Sequence, residues 1–304
     1  MGCGSLAQNP FDCDFAWGTN DPGGSLASYG YLQFMSKRVG YEVTADGTLP
    51  RCDGCSWLTQ QVASTELVPA YYAYFIGYLG HANGLPDGNE NPTGPNLTTG
   101  GAKLIREHRE AIVAMYGSYA EQTNAVWQKP LIWLLEGDHV QYTRETQAEA
   151  LSMAELASLT ADIACAIKSK MPSAIVAINH STWNSDQVTN EFWNAMGAAG
   201  VSYDLVWTTG VPDNDGFFEA GATSAIYNAA TAKYAYVSQL TDRGILVDTS
   251  FGLSAMADRW SGAPAATLNA RIADGVIGVN VATPPAGYAA AISGLAGQLD
   301  PVCQ

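Results

Sequence analysis

The sequence predicts an α/β protein, a single (β/α) barrel of seven or eight parallel strands, regular or distorted, over residues 1–304. Short apolar runs rich in β-branched and aromatic residues alternate with segments of helical periodicity. Repeated strand–helix units form parallel strands joined by right-handed crossovers. No repeat and no Pro- or Ser-rich linker divides the chain, and its 47% apolar content suffices for one large core.

Seven strands are predicted from apolar runs bounded by turn residues. They cover Asp14–Thr19, Leu67–Tyr78, Pro130–Asp138, Ala174–His180, Asp204–Thr209, Ile245–Thr249 and Val276–Val281. Tyr41–Thr44 is a weak candidate for an eighth strand, so the strand count stays open between seven and eight.

Helices are predicted between these strands. Ser25–Val39 begins with a serine cap after two glycines. Met153, Leu156, Leu159 and Ile163 recur on one helical face. The other predicted helices cover residues 101–122, Gln187–Gly197, Ser224–Leu240, Ala266–Ala273 and Ala286–Leu299.

Two acids follow the most apolar strand, Leu131–Leu135, as Glu136-Gly137-Asp138. Side chains alternate along a strand, so Glu136 and Asp138 are predicted to point to the same side. The carboxyl ends of barrel strands carry active sites, and neighbouring carboxylates raise each other's cost of ionising. These residues are therefore candidate catalytic acids.

A second apolar strand, Gly244–Val247, ends in Asp248 and a Thr-Ser-Phe-Gly turn. Strands that each deliver one polar group to a common rim are typical of barrel enzymes, so Asp248 is the third candidate catalytic residue. The alternative is that Asp138 and Asp248 only cap the helices that follow them.

The excess of acidic over basic residues indicates which kinds of partner the protein can bind. The net charge of −15 comes from 29 acids against 14 bases, with no basic patch that would favour nucleic acid. A neutral polysaccharide or oligosaccharide fits this surface better than an acidic polymer or an anionic membrane. No apolar run has the length of a membrane span, no cofactor motif is present, and we expect a monomer with no cofactor.

Six cysteines, an even number, predict disulfides and an exported, extracellular protein. Cys52 and Cys55 could form a local disulfide, a redox pair or half a zinc site, and the structural disulfide is favoured because no second ligand pair appears. Cys165, inside a predicted helix, is expected to be free. Since Met1-Gly2-Cys3 has no hydrophobic signal region, we expect Met1 to replace a removed leader.

Aromatic and polar residues at strand ends are candidate substrate contacts. Sugar rings stack on aromatic faces, and core packing is the alternative role for each aromatic residue. The candidates are Trp17, Asn179, His180, Trp183 and Trp207. Asp138, His139 and His180 could also hold a metal, but no ligand spacing supports it and no metal is predicted there.

The segment His81–Thr99 is rich in Asn, Gly and Pro and has no apolar period. Because it lies between a predicted strand and a helix, we expect it on the catalytic face. Its oxygen-rich composition could hold Ca²⁺, although the spacing of a known calcium loop is absent.

These motifs resemble family-6 glycoside hydrolases, inverting cellulases with a distorted seven-stranded barrel. Leu134–Asp138 is similar to the family's strand ending in Glu-Pro-Asp, Val247–Gly252 to its later Asp strand, and Asn179–Trp183 to its His-Ala-Gly-Trp turn. Gly137 replaces the proline, and the family's Arg-Asp-Cys loop has no counterpart here. The resemblance implies Asp138 as general acid and Asp248 as base or its helper.

The resulting hypothesis is an exported hydrolase of a neutral, cellulose-like β-glucan, with Asp138 as acid and Asp248 as base in an inverting mechanism. One alternative is a retaining barrel glycosidase with Glu136 as acid and Asp248 as nucleophile. Another is a non-catalytic carbohydrate-binding barrel. A lyase acting on an acidic polymer is disfavoured because Lys and Arg are scarce.

Overall fold

The computed structural model describes residues 10–20, 31–144, 149–181, 184–209, 234–249, 260–281 and 284–303. Eight parallel strands follow one another in chain order around a closed barrel, and the first pairs with the last. They are β1 Ala16–Asn20, β2 Phe34–Val39, β3 Val68–Ala73, β4 Leu131–Leu135, β5 Ala174–His180, β6 Leu205–Thr209, β7 Ile245–Asp248 and β8 Val276–Val281. The predicted (β/α) barrel is confirmed, as an eight-stranded TIM barrel.

Helices surround the barrel within the described ranges. They are α1 Asp53–Gln60, α2 Phe75–Ala82, α3 Leu97–Val126, α4 His139–Arg144, α5 Met153–Lys170, α6 Asp186–Ala198, α7 Tyr234–Thr241, α8 Ala265–Ala273 and α9 Tyr288–Leu295. Asn96 and Thr99 form a capping box at the start of α3, and Ser152 and Glu155 form another at the start of α5. None of the described helices is long and apolar enough to cross a membrane.

The second strand differs from the sequence prediction. The predicted helix Ser25–Val39 is wrong over its last six residues, which form β2, and residues 21–30 lie outside the described ranges. The weak candidate Tyr41–Thr44 is not a strand. Phe34–Val39 pairs with both β1 and β3, so tertiary pairing overrides the local helix signal. The predicted strand Leu67–Tyr78 also ends early, at Ala73, because α2 begins at Phe75.

Strand register separates the inner face of the barrel from the outer face. Tyr72 on β3 and Trp207 on β6 are in edge contact, with ring centroids 5.2 Å apart, although their strands are not neighbours. They therefore meet inside the barrel. The residues paired with them across adjacent strands share that inner face, including Arg38, Leu134 and Asn179.

The outer face packs against the helices. Trp133 on β4 lies in edge contact with Tyr71 and with Tyr119 of α3, at centroid separations of 5.3 and 5.9 Å. All three side chains are fully buried. This aromatic cluster anchors α3 to the barrel wall.

Disulfides join Cys13 to Cys303 and Cys52 to Cys55. The second pair lies at the start of α1, where the sulfur of Cys52 accepts the backbone N–H of Cys55 at 3.1 Å. Cys165 is disulfide-bonded as well, so the expectation of a free Cys165 is wrong. The predicted disulfide between Cys52 and Cys55 is confirmed.

Candidate active site

Four strands contribute a chain of polar side chains to the inner face at the carboxyl end of the barrel. The amide of Asn280 on β8 donates to Oδ1 of Asp248 at 3.2 Å and to Oδ1 of Asn20 at 2.8 Å. Ser36 on β2 donates to the same Asn20 oxygen at 2.6 Å. Asp248, Asn280 and Ser36 are each at most 2% exposed. These hydrogen bonds fix the direction in which the Asp248 carboxylate faces.

Tyr72 on the inner face is influenced by the charges of both candidate aspartates. Its pKa is raised well above the usual 10, mainly by burial and further by the negative charges of Asp248 and Asp138. Both carboxylates are therefore close enough to act on one phenol. Because charge interactions weaken with distance, Asp138 and Asp248 must both lie in the neighbourhood of the Tyr72 hydroxyl.

Arg38 provides a positive charge at the same rim. Its side chain is exposed, and its guanidinium carbon lies 5.4 Å from the centre of the Tyr72 ring. Register pairs Arg38 with Tyr72 across β2 and β3. The Arg38 charge lowers the pKa of Tyr72 against the larger effect of burial. An aromatic face and a cation thus lie together beside the aspartates.

The turn after β4 sends its two acids to different places. The strand ends at Leu135, and both Glu136 and Asp138 adopt positive φ angles, 31° and 60°. Left-handed residues interrupt the alternation of a strand, so the predicted common side for Glu136 and Asp138 is wrong. Asp138 is half-buried at the mouth, whereas Glu136 is fully buried.

Glu136 holds the start of α2 to the barrel. Its Oε1 accepts the backbone N–H of Ile76 at 2.7 Å and a hydrogen bond from the hydroxyl of Tyr116 on α3. A carboxyl group at a helix N-terminus satisfies amides that have no partner within the helix. This contact lies on the helix side of β4, and Glu136 is not brought together with Asp248.

Burial sets the protonation of Glu136. It raises the pKa of Glu136 to about 8, while the Ile76 amide and the Tyr116 hydroxyl oppose the rise. The charge of Asp138 is not among the causes of this raised pKa. The sequence predicts that the two carboxylates raise each other's pKa, but the pKa of Glu136 is raised by its removal from water. Glu136 is thus mainly neutral at pH 7 and supplies no charge that would keep Asp138 protonated.

The predicted sugar contacts divide between the two faces. Asn179 and Trp207 are register partners on the inner face, and the indole N–H of Trp207 donates to the carbonyl of Leu135 at 2.9 Å. His180 lies on the outer face against Trp193 of α6 and is 1% exposed. Burial lowers the pKa of His180 to about 3, so this imidazole is neutral.

Trp17 also lies on the outer face of β1, opposite to Asn20. It is 3% exposed and contacts Phe15 and Tyr288 of α9 edge to face. This position separates Trp17 from the polar residues inside the barrel. Trp183 lies outside the described residues.

Sequence interpretation missed much of the inner polar chain. Asn20, Ser36, Arg38, Tyr72 and Asn280 are not among the predicted site residues. One signal was available, because Asn280 interrupts the otherwise apolar run Val276–Val281. A polar residue inside a fully buried strand needs partners, which makes it a candidate site residue.

One group of described side chains has metal-binding chemistry. His81, Asp87 and Glu90 each present a donor atom, and these atoms lie within 4.8 Å of one another. They belong to the end of α2 and the loop that follows, near the barrel rim. That Asp138, His139 and His180 hold no metal ion stays a prediction.

No protein-family model and no curated protein matches the sequence. Solved structures resemble it in fold. A modular endo-β-1,4-mannanase of glycoside hydrolase family 26 from Cellulomonas fimi has a TM-score of 0.59 at 10% identity, covering 95% of this chain and 71% of that chain. A family-26 β-mannanase from Bacteroides ovatus has a TM-score of 0.56 at 9% identity, covering 95% and 90%.

A β-mannanase from the blue mussel Mytilus edulis has a TM-score of 0.51 at 9% identity, covering 96% of this chain and 94% of that chain. At such identities the likeness shows a common fold and nothing finer. These structures are glycoside hydrolases, but the two with a stated family belong to family 26 rather than family 6. The closed eight-stranded barrel also differs from the seven-stranded barrel that the family-6 resemblance implies.

Proposed function

We propose that the chain is a glycoside hydrolase that cleaves a neutral β-1,4-linked polysaccharide with Asp138 and Asp248 as its catalytic pair. One observation carries this proposal: Asp248 ends β7 and Asp138 follows β4 at the same end of the closed barrel, and the charges of both raise the pKa of Tyr72 on the inner face. Barrel enzymes place their chemistry at this end of the strands. Two carboxyl groups that flank a sugar are the usual means of hydrolysing a glycosidic bond.

Asp248 suits the role of general base. The amide N–H of Asn280 donates to one of its oxygens, and such a donor favours the charged carboxylate that a base requires. Its side chain is 2% exposed, so its orientation is set by the barrel wall rather than by solvent. Asp138 then acts as the general acid from the turn after β4, where its half-buried position gives access to a leaving oxygen.

We propose an inverting course. Asp138 follows β4 and Asp248 ends β7, and these strands are three positions apart in the barrel. Aspartate carboxylates also stand nearer to the backbone than glutamate carboxylates, which widens the gap between them. A gap of roughly 6.5–9.5 Å admits the attacking water of an inverting enzyme, whereas retaining enzymes bring the two groups to roughly 5–5.5 Å.

The substrate class follows from charge and from the comparisons. A net charge of −15 opposes acidic polymers, so a neutral chain is favoured. The sequence resemblance implied a β-glucan, and the structural neighbours act as β-mannanases. We therefore place β-1,4-glucan and β-1,4-mannan first among the substrates to test. Disulfides fit an oxidising compartment, which supports the expected export.

The test is release of reducing ends from soluble glucan, mannan, galactan and xylan by the purified protein. We expect hydrolysis of at least one neutral β-linked polymer and none of polygalacturonate. Binding to a polymer without any release of reducing ends would instead indicate the non-catalytic carbohydrate-binding barrel. Proton NMR during early turnover then reports stereochemistry, and an α-anomer released from a β-linked chain is the inverted product.

A further inference from the structure

The end of α2 and the loop after it bring three potential ligands together at the barrel rim. The His81 Nε2 and Glu90 Oε2 atoms are 3.6 Å apart, and a donor atom from Asp87 completes a group within 4.8 Å. The side chains of His81 and Glu90 are 37% and 56% exposed, so they are free to adjust by small rotations. Asp87 is more enclosed.

Asp87 is held in place from outside this group. Its Oδ1 accepts hydrogen bonds from the hydroxyls of Tyr74, which directly precedes α2, and Tyr142 on α4, the latter at 3.1 Å. Burial raises the pKa of Asp87, while the charges of His81 and Arg38 lower it. Side chains that orient a ligating carboxylate from behind are typical of metal sites, where they tune ligand position and affinity.

We propose that His81, Asp87 and Glu90 form a binding site for one divalent transition-metal ion, best matched by Zn²⁺. One imidazole and two carboxylates are ligands that zinc accepts, at about 2.0–2.2 Å from the ion. The imidazole nitrogen separates this site from a calcium site, because Ca²⁺ takes oxygen ligands. The two carboxylate charges exceed the single charge of Arg38 nearby, so the site favours a cation.

Such an ion would fix a loop that has no helix or strand of its own. Residues 83–96 connect α2 to α3 in this way, and long loops of this kind usually need anchors or carry function. Zinc would tie the loop to the end of α2 and, through Asp87, to the tyrosines at the rim. The bound ion would therefore order one wall of the barrel mouth. This inference does not depend on the proposed hydrolase activity.

The experiment is calorimetric titration of ZnCl₂ into chelator-treated, tag-free protein, with circular dichroism confirming the fold of each variant. We expect one Zn²⁺ per chain in the wild type. His81→Ala and Glu90→Gln should weaken binding at least tenfold. Tyr142→Phe should weaken it by about 10–100-fold, the usual cost of losing a group behind a ligand. Excess Ca²⁺ should not displace the zinc.

Matched controls come from α3, which carries His108 and the exposed Glu110. His108→Ala and Glu110→Gln remove the same chemical groups elsewhere and should leave zinc affinity unchanged. The proposal is overturned if the wild type does not bind Zn²⁺. It is also overturned if His81→Ala and Glu90→Gln bind as the wild type does, or if the control variants lose as much affinity as they do.

Discussion

The side-chain amide of Asn280 donates a hydrogen bond of 3.2 Å to Oδ1 of Asp248, joining β8 to β7 inside the barrel mouth. The same amide reaches Asn20 on β1, so a single side chain connects three strands. Neither asparagine is a candidate catalytic residue, yet they determine how Asp248 is presented. The polar chain is thus a structural support for the proposed base.

Asn280→Ala should lower kcat roughly 10–100-fold, because a hydrogen bond to a charged group contributes about 1.5–3 kcal/mol. KM should change little if Asn280 orients Asp248 rather than the sugar. Initial rates on the polymer identified by the reducing-end panel measure both constants. Asn269→Ala is the control, since that amide donates to the backbone carbonyl of Gln298 and accepts from the backbone N–H of Asp300, away from Asp248. An unchanged kcat in Asn280→Ala would contradict the orienting role.

Glu136 predicts an unusual dependence of stability on pH. Its pKa of about 8 in the folded protein lies above the value of about 4.3 for an unfolded glutamate. Between these values the folded state binds more protons than the unfolded state. The contribution of Glu136 to the free energy of unfolding is therefore complete below about pH 4 and is lost as the pH rises to about 8.

Glu136→Gln keeps the neutral shape and removes this titration. Between pH 5 and pH 8 the variant should lose less stability than the wild type. The difference in the free energy of unfolding should grow by about 1.4 kcal/mol for each pH unit in that window. Urea unfolding at several pH values measures the difference. The exposed Glu110→Gln is the control and should follow the wild-type profile. Parallel profiles for Glu136→Gln and the wild type would show that Glu136 titrates normally.

Replacing Gly137 with a larger residue is predicted to destabilise the protein unless the Tyr72 hydroxyl is removed as well. A Cβ at position 137 would overlap the Tyr72 hydroxyl. Gly137→Ala should therefore cost about 1–3 kcal/mol, the usual penalty for overpacking. The double variant Gly137→Ala, Tyr72→Phe should recover part of that loss because it removes the overlapping oxygen.

Melting temperatures of the two single variants and the double variant test this coupling. Gly294→Ala is the control, since a Cβ there meets nothing within 4 Å. If the losses from Gly137→Ala and Tyr72→Phe simply add, the close approach of Gly137 to Tyr72 is not the cause of the destabilisation.

Tyr41 is predicted to hold distant units of a polymeric substrate. Tyr41 and Val126 are the two large apolar side chains with high exposure in the described part of the chain, and Tyr41 is 57% exposed. Its ring contacts Tyr78, which contacts Tyr74, at centroid separations of 4.9 and 5.5 Å. The series of rings leads from the surface toward Tyr72, the residue near both aspartates.

Tyr41→Ala should raise KM on the polymer several-fold and leave hydrolysis of a short oligosaccharide unchanged. Sugar rings stack on such an exposed aromatic face only when the chain is long enough to reach it. Val126→Ala at the far end of α3 is the control and should change neither. If Tyr41→Ala changes KM equally for the polymer and the oligosaccharide, Tyr41 does not bind distant sugar units. That result would leave the proposed roles of Asp138 and Asp248 unchanged.

Sequence patterns predicted the buried strands better than the site. Ala174–His180 and Val276–Val281 were predicted with the observed bounds because continuous apolar runs between turn residues leave little choice. The sequence predicts helix for Phe34–Val39 because the strand character of this segment depends on pairing with β1 and β3. Pairing between segments distant in sequence is not visible in local propensity.

The candidate acids were found because they follow apolar strands, but their directions could not be read from spacing. The positive φ angles at Glu136 and Asp138 belong to a turn whose shape depends on Ile76 and Tyr116. The role of Asn280 likewise depends on the closure of β8 against β1, which brings Asn20 within reach. Such features follow from the closed barrel as a whole.

The central claim is that Asp138 and Asp248 act together on the glycosidic bond. The most direct measurement compares the specific activities of the wild type, Asp138→Asn and Asp248→Asn on the polymer identified by the panel. The control is Asp242→Asn, a fully exposed aspartate in a loop before β7. We predict losses of about 10²–10⁴-fold in both site variants, with intact folds and normal activity in the control. A site variant that keeps more than about a tenth of wild-type activity would contradict the account.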